Sequence, residues 1–218
     1  MIAKGREPPS LTAHRQTSHS SYENYQEKDE LRNALVTEQR GLCCYCMGRI
    51  KPDRTAMKIE HWQCRARHPG RELAYRNLLA ACPGRLGDGV GQPARLQHCD
   101  TRKGDSDLKW NPAEPAHRVE TRIRYGSDGS IRSNDVSFNE QLNDVLNLNL
   151  PVLKRNREGV LEAVLQWWKH EKAQIRGPVP RERIVRERDR YATGGGELTP
   201  YCQVAVWWLN EKLARMAA

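Results

Sequence analysis

The sequence predicts an α+β fold: a mostly helical chain that contains one small cysteine-rich unit of strands and a separate β-hairpin. Three observations predict it. Apolar residues recur at helical spacing near the start and in the last third of the chain, residues 117–133 alternate as strands do, and six of the seven cysteines lie between residues 43 and 99. A length of 218 residues suits one domain, or a domain that carries a smaller addition.

Charge and hydropathy limit the classes of protein to consider. The net charge is +9, and residues 1–110 hold most of it, with 19 Lys and Arg against 13 Asp and Glu. This excess favours a polyanionic partner such as nucleic acid. No segment approaches the roughly 20 apolar residues that span a bilayer, which excludes an integral membrane protein. The first ten residues lack the apolar core of a secretory signal, so we expect a cytoplasmic protein.

The elements follow one another along the chain in three regions. Residues 1–40 are predicted to form an extended polar arm (1–24) and a helix (25–40) that ends at Gly41. Residues 41–110 form the cysteine-rich core, which a Gly/Pro-rich loop at 83–93 interrupts. Residues 111–218 form a hairpin and a helical C-terminal region. Its predicted parts are a hairpin at 117–133 with its turn at 126–129, helices around 160–168, 181–190 and 204–213, and a Gly-rich connection at 193–197.

Four cysteines have the pattern of a structural zinc site. Cys43 and Cys46 are two residues apart, a spacing that lets two thiolates bind one tetrahedral ion. Cys82 and Cys99 are the best candidates for the second pair, since each ends a short segment and a loop separates them. A zinc ion would brace a chain that has a single Phe. The alternative is that these thiols are buried and act as small apolar residues.

The other cysteines and one histidine have less defined roles. Cys44, Cys64 and Cys202 are predicted to be structural. His98 stands next to Cys99 and could replace a cysteine as a ligand, so that possibility stays open.

Three short segments carry further polar residues of chemical interest. Residues 57–62 read as a strand in which Glu60 and His61 are adjacent, and a bent strand end would let both approach one centre. Asp100 stands where a helix begins, as an N-cap or a ligand. Asn77 precedes the apolar run of residues 78–81.

Together these segments resemble the HNH, or ββα-metal, nuclease family. That family combines an acid–His strand, an Asn ahead of an apolar strand, and a Cys-(His/Asn)-x-x-Lys-Gly helix, which cysteine knuckles that bind zinc often brace. The matching segments here are Glu60-His61, Asn77-Leu78-Leu79-Ala80-Ala81-Cys82 and Cys99-Asp100-Thr101-Arg102-Lys103-Gly104. The resemblance implies that a ββα-metal unit lies within residues 41–110.

Further segments are similar to one branch of that family, the PtuB-like endonucleases of the Septu anti-phage defence system, which also occur with retrons. These segments are KGREPPSL at 4–11 and ELRNALVTEQRGLCCYCM at 30–47, and residues 146–150 and 201–209 are similar in character. The resemblance implies a bacterial protein that works with an ABC/SMC-type ATPase encoded nearby and, in retrons, with a reverse transcriptase and its DNA. Residues 1–40 would then dock the partner. The chain has no P-loop motif, so we expect ATP hydrolysis to be supplied by that partner.

The chain departs from the commonest HNH pattern at three places. Glu60 replaces the usual Asp before the histidine, and Asp100 replaces His or Asn in the helix. Both still offer an oxygen ligand to a hard cation. Residues 83–98 separate Cys82 from Cys99, where ordinary members have two residues.

The resemblance assigns a role to each residue of the candidate site. His61 would be the general base, since a neutral imidazole can take the proton of an attacking water. Glu60 and Asp100 would hold a catalytic Mg²⁺ or Mn²⁺, and Asn77 would orient His61. The residues expected to contact phosphates are Arg65, Arg67, Arg102 and Lys103.

Two alternatives remain at this stage. The nuclease could cleave RNA, for example tRNA, because activated water attacks either backbone. The chain could also be a zinc-braced module that binds nucleic acid without cleaving it, in which case Glu60, His61 and Asp100 would have no catalytic use.

Overall fold

This computed structural model describes residues 1–85 and 91–216, so the predicted loop at 83–93 is seen only at its two ends. The described residues combine helices with two small antiparallel sheets, and the predicted mixture of helix and strand is confirmed. The helices are α1 (Pro9–Arg15), α2 (Lys28–Glu38), α3 (Cys99–Lys103), α4 (Val119–Arg122), α5 (Val136–Glu140), α6 (Pro151–Gln174), α7 (Arg181–Thr193) and α8 (Gln203–Arg215). The strands are β1 (Lys58–His61), β2 (Leu78–Ala81), β3 (Ile123–Tyr125) and β4 (Ile131–Ser133).

Strands β1 and β2 form the sheet that carries the candidate site. They are antiparallel, with Glu60 opposite Leu79 and His61 opposite Leu78. All four residues of β2 are buried, as expected for an unbroken apolar run. The side chain of Gln39, just after α2, donates to the Ala80 carbonyl and accepts from the Ala80 amide, both at 2.7 Å. This side chain therefore satisfies backbone groups on the edge of β2 that faces away from β1.

The N-terminal segment differs from the predicted extended arm. Residues 9–15 form α1, which begins at Pro9, a residue that suits the first turn of a helix. Leu11 is fully buried and Tyr25 is 1% exposed, so both belong to the main core. Lys4 forms an ion pair with Glu38 of α2 at 2.5 Å. The prediction of an extended arm is wrong for α1. A single buried Leu in a polar segment shows no helical periodicity from which a packed helix could be predicted.

The predicted hairpin exists but is shorter than expected. Strands β3 and β4 pair from Ile123 to Ser133, whereas Val119–Arg122 forms the short helix α4. Arg122 donates to the His117 carbonyl at 2.7 Å and lies over the ring of Trp110 at 3.9 Å. Both contacts are made by the last residue of the helical turn α4. The alternation of apolar and polar residues there had predicted a strand.

The predicted C-terminal helices are present as α6, α7 and α8, which pack into a second core. The Gly-rich connection between α7 and α8 is also found as predicted. Leu42, next to the first cysteines, belongs to this second core, whereas Cys43 belongs to the first. The cysteine-rich segment therefore contributes to both cores.

Gly84 closes the long segment between Cys82 and Cys99. Its carbonyl accepts from the His98 amide at 2.9 Å, and its φ is +68°, a conformation that favours glycine. A Cβ added there would lie 1.7 Å from the His98 carbonyl oxygen. This contact between Gly84 and His98 sets Cys82 near Cys99.

We expect Gly84→Ala to lower the free energy of unfolding by more than about 2 kcal/mol, because the backbone strain adds to a clash with a carbonyl. Gly91 is the matched control: its φ is +81°, and an added Cβ would meet nothing within 4 Å. Gly91→Ala should cost only about 1 kcal/mol. Urea unfolding of both variants measures the difference, and equal losses would contradict the role given to Gly84.

Candidate metal centre and active site

The four predicted cysteines meet in one cluster. The sulfur atoms of Cys43, Cys46, Cys82 and Cys99 all lie within 4.8 Å of one another. The sulfurs of Cys43 and Cys99 are 3.9 Å apart, and those of Cys46 and Cys82 are 3.8 Å apart. Tetrahedral zinc with Zn–S bonds near 2.3 Å needs S···S distances of about 3.8 Å. The predicted grouping of these four cysteines is confirmed, and the cluster could hold a metal such as zinc.

Local backbone structure supports these sulfurs. Residues 43–48 form a tight turn in which the Cys43 amide donates to the Gly48 carbonyl at 2.9 Å. The Cys82 amide donates to the Cys43 sulfur at 3.2 Å, and the Gly48 amide donates to the Cys46 sulfur at 3.4 Å. Donors of this kind stabilise the thiolate form that binds a metal ion.

His98 lies beside the cluster. Its Nδ1 is 3.2 Å from the Cys99 sulfur and 3.9 Å from the Cys82 sulfur. Burial lowers the pKa of the imidazole, so the ring is neutral. The four sulfurs already make a tetrahedral set, so the geometry suits a ring N–H that donates to a thiolate. The other three cysteines are buried outside this cluster: Cys44, Cys64 and Cys202.

Glu60 is buried among polar partners at the sheet. Only 4% of the residue is exposed, and its Oε1 accepts from the Tyr45 hydroxyl at 2.8 Å and pairs with the Lys103 ammonium at 2.8 Å. Burial, and after it the neighbouring carboxyl group of Asp100, raises the pKa of Glu60 well above its usual range. Strand β1 and helix α3 thus bring the two predicted cation ligands together.

Lys103 lies elsewhere than predicted. The residue is 2% exposed, and its ammonium donates to the His61 carbonyl at 3.0 Å besides pairing with Glu60. A phosphate outside the protein cannot reach this amine, so the predicted contact is wrong. Lys58 is better placed, because its ammonium is 2.8 Å from Asp100 and its side chain is 41% exposed.

His61 has a defined tautomer. Its Nε2 lies 3.0 Å from the Glu72 carbonyl oxygen, and a carbonyl only accepts, so Nε2 carries the proton. Nδ1 is then the ring atom that can accept a proton. The residue is 8% exposed, and Tyr22 lies edge-on to its ring at 4.6 Å. Burial is the main cause that lowers the pKa of His61 to about 4, and the nearby positive charges of Arg65 and Lys103 also lower it.

Asn77 braces the loop that follows β1. Its Oδ1 accepts from the Gln63 amide at 2.8 Å, and its Nδ2 donates to the carbonyls of Gln63 and Arg71 at 3.0 and 3.1 Å. Glu72, whose carbonyl holds His61, directly follows Arg71. The hydrogen bonds of Asn77 are thus compatible with the predicted orienting role.

The three predicted arginines are spread around the site. Arg65 pairs with Glu23 and lies 4.9 Å from the centre of the Tyr22 ring. Arg67 is 3.7 Å from Asp107. Arg102 donates to the carbonyls of Asp144 and Ala94. Their contact with phosphate stays a prediction.

Three residues near this site were not singled out from the sequence: Tyr45, Lys58 and Tyr22. Tyr45 stands between two cysteines of the cluster, and Lys58 stands two residues before Glu60 on the same face of β1. Their positions in the sequence could have indicated that these two residues lie near the site. Tyr22 carries no such signal, because it reaches His61 only through the fold of the N-terminal segment.

No protein-family model matches this chain, and a search of curated proteins found no significantly similar sequence. Among the described residues, no helix is both long and apolar enough to cross a membrane.

We expect Cys99→Ser to reduce the bound zinc to well below one ion per chain and to lower the melting temperature by many degrees, because one of four ligands is lost. Cys202→Ser is the control, since Cys202 is equally buried but lies outside the cluster. Metal analysis of purified protein with parallel thermal melts provides the measurement. A Cys99→Ser protein that keeps a full zinc ion would refute the four-sulfur site.

The pKa of His61 predicts how stability depends on pH. The folded value of about 4 lies below the unfolded value of 6.5, so the unfolded chain binds more protons between these limits. We expect the contribution of His61 to the free energy of unfolding to be complete above pH 6.5 and to be lost as the pH falls towards 4. His61→Gln should flatten this part of the profile. Urea unfolding between pH 4 and 7.5 without added Mg²⁺ or Mn²⁺ measures it, and identical slopes would contradict the assignment.

Proposed function

We propose that this protein is a metal-dependent endonuclease of the HNH, or ββα-metal, type that hydrolyses phosphodiester bonds of DNA. The arrangement of His61 carries the proposal. Its Nε2 donates to a backbone carbonyl, its Nδ1 can accept a proton, and the neighbouring strand residue Glu60 lies near the carboxyl group of Asp100. Strand β1 supplies Glu60 and His61, and helix α3 supplies Asp100, in the order that the resemblance implies.

In this proposal His61 acts as the general base. A water beside Nδ1 would lose its proton to the ring while its oxygen attacks the phosphorus atom. The bond between phosphorus and the leaving oxygen would break in the same step, and the leaving oxygen would take a proton from solvent. The lowered pKa keeps the imidazole neutral at pH 7, so it is ready to accept the proton. Asn77 holds the loop whose Glu72 carbonyl fixes the ring, which is a positioning role.

The carboxylates of Glu60 and Asp100 suit a hard divalent cation. Both offer oxygen ligands, and they are neighbours at a site where Glu60 is almost fully buried and Asp100 is partly exposed. Two neighbouring carboxyl groups favour either a shared proton or a cation between them. When bound, Mg²⁺ or Mn²⁺ supplies charge stabilisation for the phosphate and the leaving oxygen. The four-cysteine cluster supplies soft ligands, which suit zinc better than either of these ions.

The cationic side chains around the site would bind the phosphate backbone. We assign this role to Arg65, Arg67 and Arg102, and to the exposed Lys58 in place of the buried Lys103. In the resting chain Glu23 pairs with Arg65, so a phosphate group would replace a carboxylate at this guanidinium.

We also propose the biological setting that the resemblance implies: anti-phage defence with an ABC/SMC-type ATPase and, in a retron, a reverse transcriptase with its DNA. The segments similar to the PtuB-like branch support this assignment. The N-terminal region packs into the core of this chain, so a partner would contact its outer face.

His61→Ala should reduce cleavage at least about 10²-fold while the zinc content stays near the parent value, because the general base is removed. His170→Ala is the control, since His170 is exposed on α6. The assay compares duplex DNA, single-stranded DNA and total RNA with Mg²⁺ or Mn²⁺, with and without the neighbouring ATPase.

The outcomes separate the alternatives. Cleavage of RNA alone, lost in His61→Ala, would keep the mechanism and replace the substrate. Binding of nucleic acid without cleavage of any substrate would favour the non-catalytic module. Full activity of His61→Ala would refute the mechanism.

A further inference from the structure

We propose that Tyr45 is a positioning residue that links the cysteine cluster to the cation site at Glu60 and Asp100. The inference rests on the proposed function for the identity of that site. It adds that the orientation of the Glu60 carboxylate depends on the hydroxyl group of Tyr45, a residue of the cysteine turn.

The backbone of Tyr45 is fixed from two sides. Cys43 and Cys46, which flank it within the turn, both supply sulfurs to the cluster. The Cys44 amide donates to the Ala80 carbonyl at 3.0 Å, which ties the same turn to β2. Since β2 pairs with β1, the cluster and the strand that bears Glu60 hold Tyr45 in a defined place.

The Tyr45 side chain ends at Glu60. The residue is 9% exposed, and its hydroxyl donates to Glu60 Oε1 at 2.8 Å. Lys103 contacts the same oxygen at 2.8 Å. Two donors on Oε1 restrict the orientation of the carboxylate, so that Oε2 can serve as a ligand for a cation. A side chain that only filled space would not need a hydroxyl at this point.

A cation site gains affinity when its ligands are arranged before the ion arrives. Without the Tyr45 hydroxyl, the ion pair with Lys103 remains, but Glu60 can turn towards that amine. The affinity for a divalent cation should then fall while the cysteine cluster stays intact, which separates positioning from general stability.

Mn²⁺ binding to the full, zinc-loaded chain tests the inference, followed by calorimetry or by the electron paramagnetic resonance of free Mn²⁺. We expect Tyr45→Phe to weaken Mn²⁺ binding about tenfold, the effect of one hydrogen bond to a charged group. Zinc content should stay at one ion per chain. In cleavage, the Mn²⁺ concentration for half-maximal rate should rise, and the rate at saturating Mn²⁺ should stay close to that of the parent.

Tyr201→Phe is the matched control. Tyr201 also lies against the cysteine turn, where its amide donates to the Met47 carbonyl at 2.9 Å, but its hydroxyl accepts from Asn156. This variant should bind Mn²⁺ as the parent does. Glu60→Gln should abolish binding and so locate the ion.

Parent-like Mn²⁺ affinity in Tyr45→Phe would overturn the inference, and so would an equal weakening in Tyr201→Phe, because both results indicate a merely structural hydroxyl. A parent that binds no Mn²⁺ overturns it as well. A parent that binds Mn²⁺ through Glu60 but cleaves nothing refutes the nuclease alone, and the Tyr45 comparison still decides the inference.

Discussion

The convergence of four sulfur atoms is the constraint on which the rest of this structure depends. Three separate segments supply them, and each segment continues directly into the candidate site: Tyr45 lies within the first, β2 precedes Cys82, and Asp100 follows Cys99. Met47 and Cys99 have positive φ values of 64° and 50°, which cost free energy in residues other than glycine. A bound metal ion would hold both turns against that strain. The same constraint sets where α3 begins and therefore where its acidic and basic side chains point.

Another consequence of this arrangement is that two buried charged side chains depend on each other. Glu60 and Lys103 are almost fully buried, and removing either would leave an unpaired charge in a medium of low dielectric constant. Such a pair adds little net stability, since desolvation offsets the attraction. It does fix geometry, because Lys103 also holds the His61 carbonyl and so joins α3 to the end of β1. The ion pair is therefore better understood as a device that sets the positions of strand and helix than as a source of stability.

The sequence predicted local patterns well and tertiary contacts less well. Some features are determined by residues close together in the sequence. Examples are the Cys43–Cys46 spacing, the apolar run before Cys82 and the apolar stripes of the helices in the last third. The cluster and the long helices could therefore be predicted. Whether a lysine faces water or a carboxylate depends on packing, and for this reason the burial of Lys103 against Glu60 was not predicted. Helix α1 escaped prediction because its burial depends on a core formed by distant segments. The hydrogen bond between the Gly84 carbonyl and the His98 amide is likewise a tertiary contact, and no local sequence pattern predicts it.

The charge around His61 connects the basic composition with the chemistry of the site. Burial is the main cause of the low pKa of this residue, and the neighbouring positive charges of Arg65 and Lys103 add to it. The same positive surroundings would attract a phosphate. A phosphate beside Arg65 would in turn offset part of that charge and raise the pKa of His61 towards neutrality, where a general base works best. In the proposed nuclease, His61 would thus be unprotonated in the free protein and would become a stronger base when the substrate binds.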